Sequence, residues 1–195
     1  MKYTSQIEHA IQVAAHAHRK QTRKGSPDLP YISHPFSVFV ILSEYTEDEN
    51  VLIAGLLHDV LEDADPTEYS DISLRKVFGD KIVSTIKEVS ESKDGNLEES
   101  DAKSNWEERK NAYLEHSKTS SEEALLVSTA DKLHNLESTL LDYEKSGSII
   151  WDRFNAPREK QIWFYKEFIK IISMRLNNTI TRKLATRVDE LEKLS

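Results

Sequence analysis

Apolar residues recur at three- and four-residue spacing along most of the chain, the period of helices that bury one face. Ile7, Ala10, Ile11, Ala14, Ala15 and Ala17 mark a first helix over 5–18. A polar, basic run at 19–25 follows, and Pro27 and Pro30 make 26–30 a loop. Tyr31-Ile-Ser-His-Pro35 restarts the helical pattern. Proline suits the first helical position and pushes the residue before it out of the α region, so His34 is expected at a helix N-terminus on a fixed backbone. That helix runs to about Tyr45, and the next from about Asp48 to Glu62, where Asp65-Pro66 ends it.

The pattern continues with a short element at 72–78 that stops at Gly79 and a helix from Asp80 to about Glu91. Residues 92–105 are polar and mostly acidic, long enough to read as a mobile loop or a lid. Helices follow at 106–116, from a Ser121 cap to about Lys145, from Pro157 to about Leu176, and at 179–194, with a turn at 151–155. No internal repeat or domain boundary stands out. The pattern predicts an all-α fold in one domain, 1–195, with a core at about 5–145 and C-terminal helices at about 148–195.

Composition sharpens this picture. With 31% charged residues, 38% hydrophobic residues, 5 Gly and 5 Pro in 195 residues, the chain favours helices over strands. It has no cysteine, which removes disulfides, a thiol nucleophile and Cys-based metal sites. A net charge of −8 argues against a duplex nucleic-acid partner, but leaves room for a small anionic ligand held by a local basic cluster. Residues 1–9 have no apolar signal region. The longest apolar run, 51–57, is too short to span a bilayer. A soluble cytoplasmic protein without a membrane partner is expected; the oligomeric state is open.

Candidate chemistry concentrates in Ala54-Gly-Leu-Leu-His-Asp-Val-Leu-Glu-Asp63. On one continuous helix, Ile53, Ala54, Leu57, Val60 and Leu61 fall on one side and His58, Asp59, Glu62 and Asp63 on the other. Three carboxylates near a helix C-terminus oppose its dipole, a liability that a cation turns into a site. Taken alone, these four residues fit a solvated polar face equally well. Further along, Leu126, Val127, Ala130, Leu133 and Leu136 form a core face, with Asp131 and Asn135 one turn apart at its edge. An aspartate in such a stretch needs a partner once buried.

His34, His58, Asp59 and Asp131 together make a mixed nitrogen and oxygen set. It suits a divalent metal that keeps positions open for water and substrate, such as Mn²⁺, Fe²⁺ or Zn²⁺. Such an ion lowers the pKa of water and polarises a phosphoryl oxygen. Glu62 and Asp63 are spaced to orient or deprotonate that water. Arg19, Lys20, Arg23 and Lys24 place four cations in six residues, a solvated basic turn or an anion-binding one. His16 and His18 read as surface or helix-end residues, and His134 falls outside the set.

His58-Asp59, with His34 upstream and Asp131 downstream, resembles the HD superfamily of metal-dependent phosphohydrolases. The ordered blocks Arg23-Lys-Gly, Tyr31-Ile-Ser-His-Pro35, Leu56-Leu-His-Asp-Val-Leu-Glu-Asp63, Phe78-Gly79 and Ala130-Asp-Lys-Leu-His-Asn135 narrow the likeness. They resemble the hydrolase domain of RelA/SpoT-type enzymes and its stand-alone relatives, the small alarmone hydrolases and metazoan SpoT homologues. The resemblance implies a single compact HD-domain helical bundle. It also implies removal of the 3′-pyrophosphate of guanosine tetra- or pentaphosphate, leaving GDP or GTP. His34, His58, Asp59 and Asp131 would then be ligands of Mn²⁺, Glu62 and Asp63 the pair that activates water, Arg23 and Lys24 the basic pair beside the nucleotide, and Asn135 a residue of the substrate pocket.

With the chain ending at Ser195, the synthetase and regulatory domains of the long enzymes are not expected. The segment Ser26-Pro-Asp-Leu-Pro30 departs from the shorter turn of the bifunctional enzymes and leaves base specificity open. A phosphatase for another nucleotide such as NADPH, or a catalytically silent nucleotide-binding regulator, are the alternatives. The intact acidic and histidine set argues against the last.

Overall fold

A computed structural model of the chain describes residues 2–90 and 105–194. The fold is all-α, with one small hairpin among the described residues. The residues group into two compact units, Met1–Ser90 with Ser121–Asp131, and Glu91–Ser120 with Lys132–Ser195. The expected lid or mobile loop at 92–105 lies, but for its last residue, outside the described residues.

The first unit opens with α1 (Ser5–Ala17), started by the Thr4 side chain accepting the Ile7 N–H. A hairpin follows, β1 (Thr22–Arg23) paired antiparallel with β2 (Ser26–Pro30). Sequence reasoning expected a loop here because of the two prolines. Both strands of a two-stranded ribbon are edges, so a proline need not break a ladder, and Gly25 at φ 79° supplies the turn. Next come α2 (Ser33–Ser43), α3 (Glu49–Leu57), α4 (Val60–Asp63), α5 (Asp71–Phe78) and α6 (Asp80–Val89). Gly79, at φ 85°, separates the last two.

The centre of this unit is α3, whose residues from Val51 to Leu57 are all buried and which packs on α1, α2 and α6. A helix apolar on every side belongs inside. Gly55 permits its close approach to α2, because a Cβ there would collide with Cδ1 of buried Leu42.

Two expectations about local structure are corrected here. His34 does not precede its helix but is the second residue of α2, with Pro35 third. The first four N–H groups of a helix lack intrahelical partners, so proline is tolerated there without a break. The helix expected over 48–62 is two helices, interrupted at Asp59 with φ −90° and ψ −7°. Ile53, Ala54, Leu57 and Val60 are buried as the wheel requires, but Leu61 beyond the break is only half-buried.

The second unit holds α7 (Trp106–Ser117) and most of the turns of α8 (Glu122–Ser146), which begins in the first unit after Ser121. It also holds a 3₁₀ segment (Gly147–Arg153), α9 (Arg158–Arg175) and α10 (Thr179–Lys193). The expected core face of α8 is buried at Val127, Ala130, Leu133 and Leu136, with Leu125 in place of Leu126. Rings of Trp106, Tyr113, Phe164 and Phe168 pack together. Arg158 donates to the carbonyls of Leu191, Glu192 and Leu194, closing the end of α10. Lys132, buried, donates to the Tyr113 hydroxyl at 2.7 Å. No described helix is long and apolar enough to cross a membrane.

Candidate metal centre

Four side chains of the first unit converge from separate places in the sequence. His34 projects from the first turn of α2, His58 and Asp59 from the break between α3 and α4, and Asp131 from α8. His34 Nε2 lies 3.1 Å from Asp131 Oδ1 and 3.6 Å from Asp59 Oδ2. His58 Nε2 lies 3.2 Å from Asp59 Oδ2 and 3.8 Å from Asp131 Oδ1. Both imidazoles are buried, whereas the Asp59 and Asp131 side chains keep 15% and 17% exposure, so solvent can reach the carboxylate side.

His58 and Asp59 occupy the two-residue turn between α3 and α4, both in the right-handed helical region. Here α3 stops, and the His58 Nδ1–H reaches the Gly55 carbonyl at 2.8 Å, one of the four carbonyls left over at a helix end. Glu62 and Asp63 then fall in the single turn of α4, half-buried. Their N–H groups bond the Asp59 carbonyl at 3.2 and 2.8 Å. The Asp63 carbonyl is in turn held by Gln21 Nε2 at 2.6 Å.

The donor set fits a divalent cation. A carbonyl only accepts, so the bond to Gly55 puts the His58 proton on Nδ1 and leaves the Nε2 lone pair toward Asp59 and Asp131. Electron-rich atoms at that separation repel unless a positive charge lies between them. Burial holds the His34 pKa below the ordinary imidazole value, against the opposing pull of Asp131. A neutral ring is the form that binds a metal. The ligand atoms of His34, His58 and Asp59 all lie within 4.8 Å of one another, a group that could hold a metal.

One residue quoted in the sequence motif without a role belongs to this site. The Tyr31 hydroxyl donates to Asp59 Oδ2 at 2.7 Å. Burial, and then Asp59, raise its pKa far above the ordinary phenol value, so it remains a donor. The signal available was position: Tyr31 stands one turn before His34.

The basic residues divide. Arg23 on β1 lies 5.5 Å from the Tyr31 ring centroid, and Lys24 is exposed at the hairpin turn. Arg19 is committed elsewhere, pairing both nitrogens with Glu68 at 3.0 and 2.8 Å. Asn135 lies one turn beyond Asp131 on α8, half-buried and in the second unit, as does His134. His16 is exposed beside Tyr69, as expected. His18 is not a surface residue: it is buried, with Nδ1 2.6 Å from Gln21 Oε1 and its ring 4.9 Å from that of Tyr31.

Comparison with known proteins places this geometry. The guanosine-3′,5′-bis(diphosphate) 3′-pyrophosphohydrolase MESH1 of Drosophila melanogaster is 40% identical over 128 residues, which are 65% of this chain and 65% of that protein. Its namesake from Xenopus tropicalis is 39% identical over 132 residues, 67% of each chain. The solved structure of a metazoan orthologue of SpoT, described as hydrolysing ppGpp, superposes with a TM-score of 0.72 at 30% identity. It covers 98% of this chain and 96% of that one. The HD domain profile matches residues 10–159, a span that contains all four converging side chains. HD domains are metal-dependent, and the chain belongs to the HD domain family.

Proposed function

We propose that this protein is an HD-superfamily phosphohydrolase that uses Mn²⁺ to hydrolyse the 3′-pyrophosphate of guanosine tetra- or pentaphosphate. The observation that carries the reading is the convergence of His34, His58, Asp59 and Asp131 in a chain whose relatives are named for that activity. These four residues would hold the ion. Bound there, it would supply Lewis acidity to a phosphoryl oxygen and lower the pKa of water.

Glu62 and Asp63, following Asp59 on α4, take the role of orienting the attacking water and accepting its proton. Water attacks the phosphorus attached to the ribose 3′ oxygen. The bond to that oxygen breaks, the 3′ oxygen ends as a hydroxyl, and the water oxygen leaves in pyrophosphate. Arg23 and Lys24, on the hairpin beside Tyr31, bind the anionic nucleotide, where a guanidinium can stack on a base or grip phosphate by two bonds. Asn135 is assigned to the substrate pocket.

The test is product analysis across a nucleotide panel with metal-free and Mn²⁺-loaded protein. Pyrophosphate and GDP from guanosine tetraphosphate, dependent on the metal, are the expected result. Orthophosphate from NADPH with no turnover of the guanosine compound would move the substrate assignment. No turnover of any nucleotide would leave a binding regulator.

A further inference from the structure

We propose that Tyr31 is a positioning residue that joins the metal ligands to the anion-binding hairpin, its hydroxyl orienting Asp59 and its ring supporting Arg23. The inference rests on the metal reading above. Tyr31 is fixed at both ends of its backbone: its N–H donates to the Gln21 carbonyl at 2.9 Å, closing the hairpin, and its carbonyl accepts the His34 N–H at 2.8 Å, where α2 begins. Its side chain is constrained as tightly. The ring meets that of His34 edge-on at 5.7 Å and that of His18 at 4.9 Å, while the Arg23 guanidinium lies 5.5 Å from its centroid.

What the hydroxyl does follows from the chemistry of the carboxylate. Asp59 Oδ2 lies 3.6 Å from His34 Nε2 and 3.2 Å from His58 Nε2, and Tyr31 Oη donates to that same atom at 2.7 Å. An ionised oxygen can accept one hydrogen bond and still offer a lone pair. The bond therefore fixes the carboxylate plane without consuming the ligand atom. Hydrogen-bond donors behind first ligands typically contribute about 10–100-fold to metal affinity. The ring has a separate role, because a guanidinium over an aromatic face is attracted to it and held in place.

Tyr31→Phe removes the first role and keeps the second; Tyr31→Leu removes both. Mn²⁺ titration calorimetry on Tyr31→Phe is expected to give a dissociation constant about 10–100-fold weaker than wild type. The KM at saturating Mn²⁺ is expected to stay unchanged, and the metal-free melting temperature to fall only by what one lost hydrogen bond costs, less than the loss in Mn²⁺ affinity. Tyr31→Leu should add a rise in KM. A Tyr31→Phe protein with wild-type Mn²⁺ affinity overturns the proposal, and so does an affinity loss accompanied by a matching fall in metal-free melting temperature, which marks a merely structural tyrosine. A wild-type protein that takes up no Mn²⁺ overturns the metal reading itself, and the Tyr31 role with it.

Discussion

His58 donates its Nδ1 proton to the carbonyl oxygen of Gly55, 2.8 Å away. That one bond satisfies a carbonyl in the last turn of α3 and fixes the tautomer that leaves Nε2 toward Asp59 and Asp131. His58→Ala should therefore have two separable effects. Mn²⁺ uptake, read by calorimetry, should be lost. The metal-free protein should also lose about 1–3 kcal/mol in urea unfolding, the cost of leaving a buried carbonyl without its donor. A variant that lost metal uptake with unchanged metal-free stability would show that the Gly55 bond contributes nothing to the fold.

His34 sets a pH dependence. Burial lowers its folded-state pKa, so as pH falls the unfolded chain takes up the proton before the folded one does. Its contribution to stability is full above the unfolded value, about 6.5, and is lost as pH falls through the folded value. Thermal melts of the metal-free protein from pH 8 to pH 5 should show a steeper acid loss for wild type than for His34→Gln. Parallel curves would remove His34 from the account.

Much of this was legible in the sequence because helical periodicity reports burial directly. Val51 to Leu57 reads as an apolar run and is the buried centre of the first unit. The ordered motif around His34, His58, Asp59 and Asp131 was legible as a constellation, and the four side chains do meet. What escaped depended on contacts distant along the chain. The break at Asp59 is invisible to a wheel that assumes one helix. The hairpin was hidden by Pro27 and Pro30, which forbid only interior strands. His18 is the helix-end residue expected, capping α1, but its burial under Gln21 and Tyr31 was not legible. Tyr31 carried no role until Asp59 came within reach.

Glu62→Gln and Asp131→Asn should separate proton transfer from metal binding. The first keeps the shape of a residue assigned to the water and should lower kcat about 10²–10⁴-fold, the usual range for a lost general acid or base, with Mn²⁺ affinity near wild type. The second changes a carboxylate that lies 3.1 Å from His34 Nε2 and should weaken Mn²⁺ binding itself. Its activity should recover in part as the metal concentration rises. If Glu62→Gln hydrolysed the nucleotide at the wild-type rate, the assignment of the acidic pair would be wrong.

The last expectation concerns the four cations in and just before the hairpin, Arg19, Lys20, Arg23 and Lys24. Arg19 forms a two-nitrogen pair with Glu68, an exposed contact of the kind that contributes little to stability and leaves it poorly placed for a second anion. Arg23 instead stands over the Tyr31 ring, next to a residue bonded to Asp59. Arg23→Ala should raise KM about 10–100-fold, the equivalent of one or two hydrogen bonds to a charged group. Arg23→Lys should recover only part of this, since an ammonium cannot reproduce a stacked, two-bond grip. Arg19→Ala should leave KM where it was. Steady-state kinetics on the three variants at saturating Mn²⁺ decides the matter: a larger KM effect at Arg19 than at Arg23 would place the nucleotide on the opposite side of the hairpin.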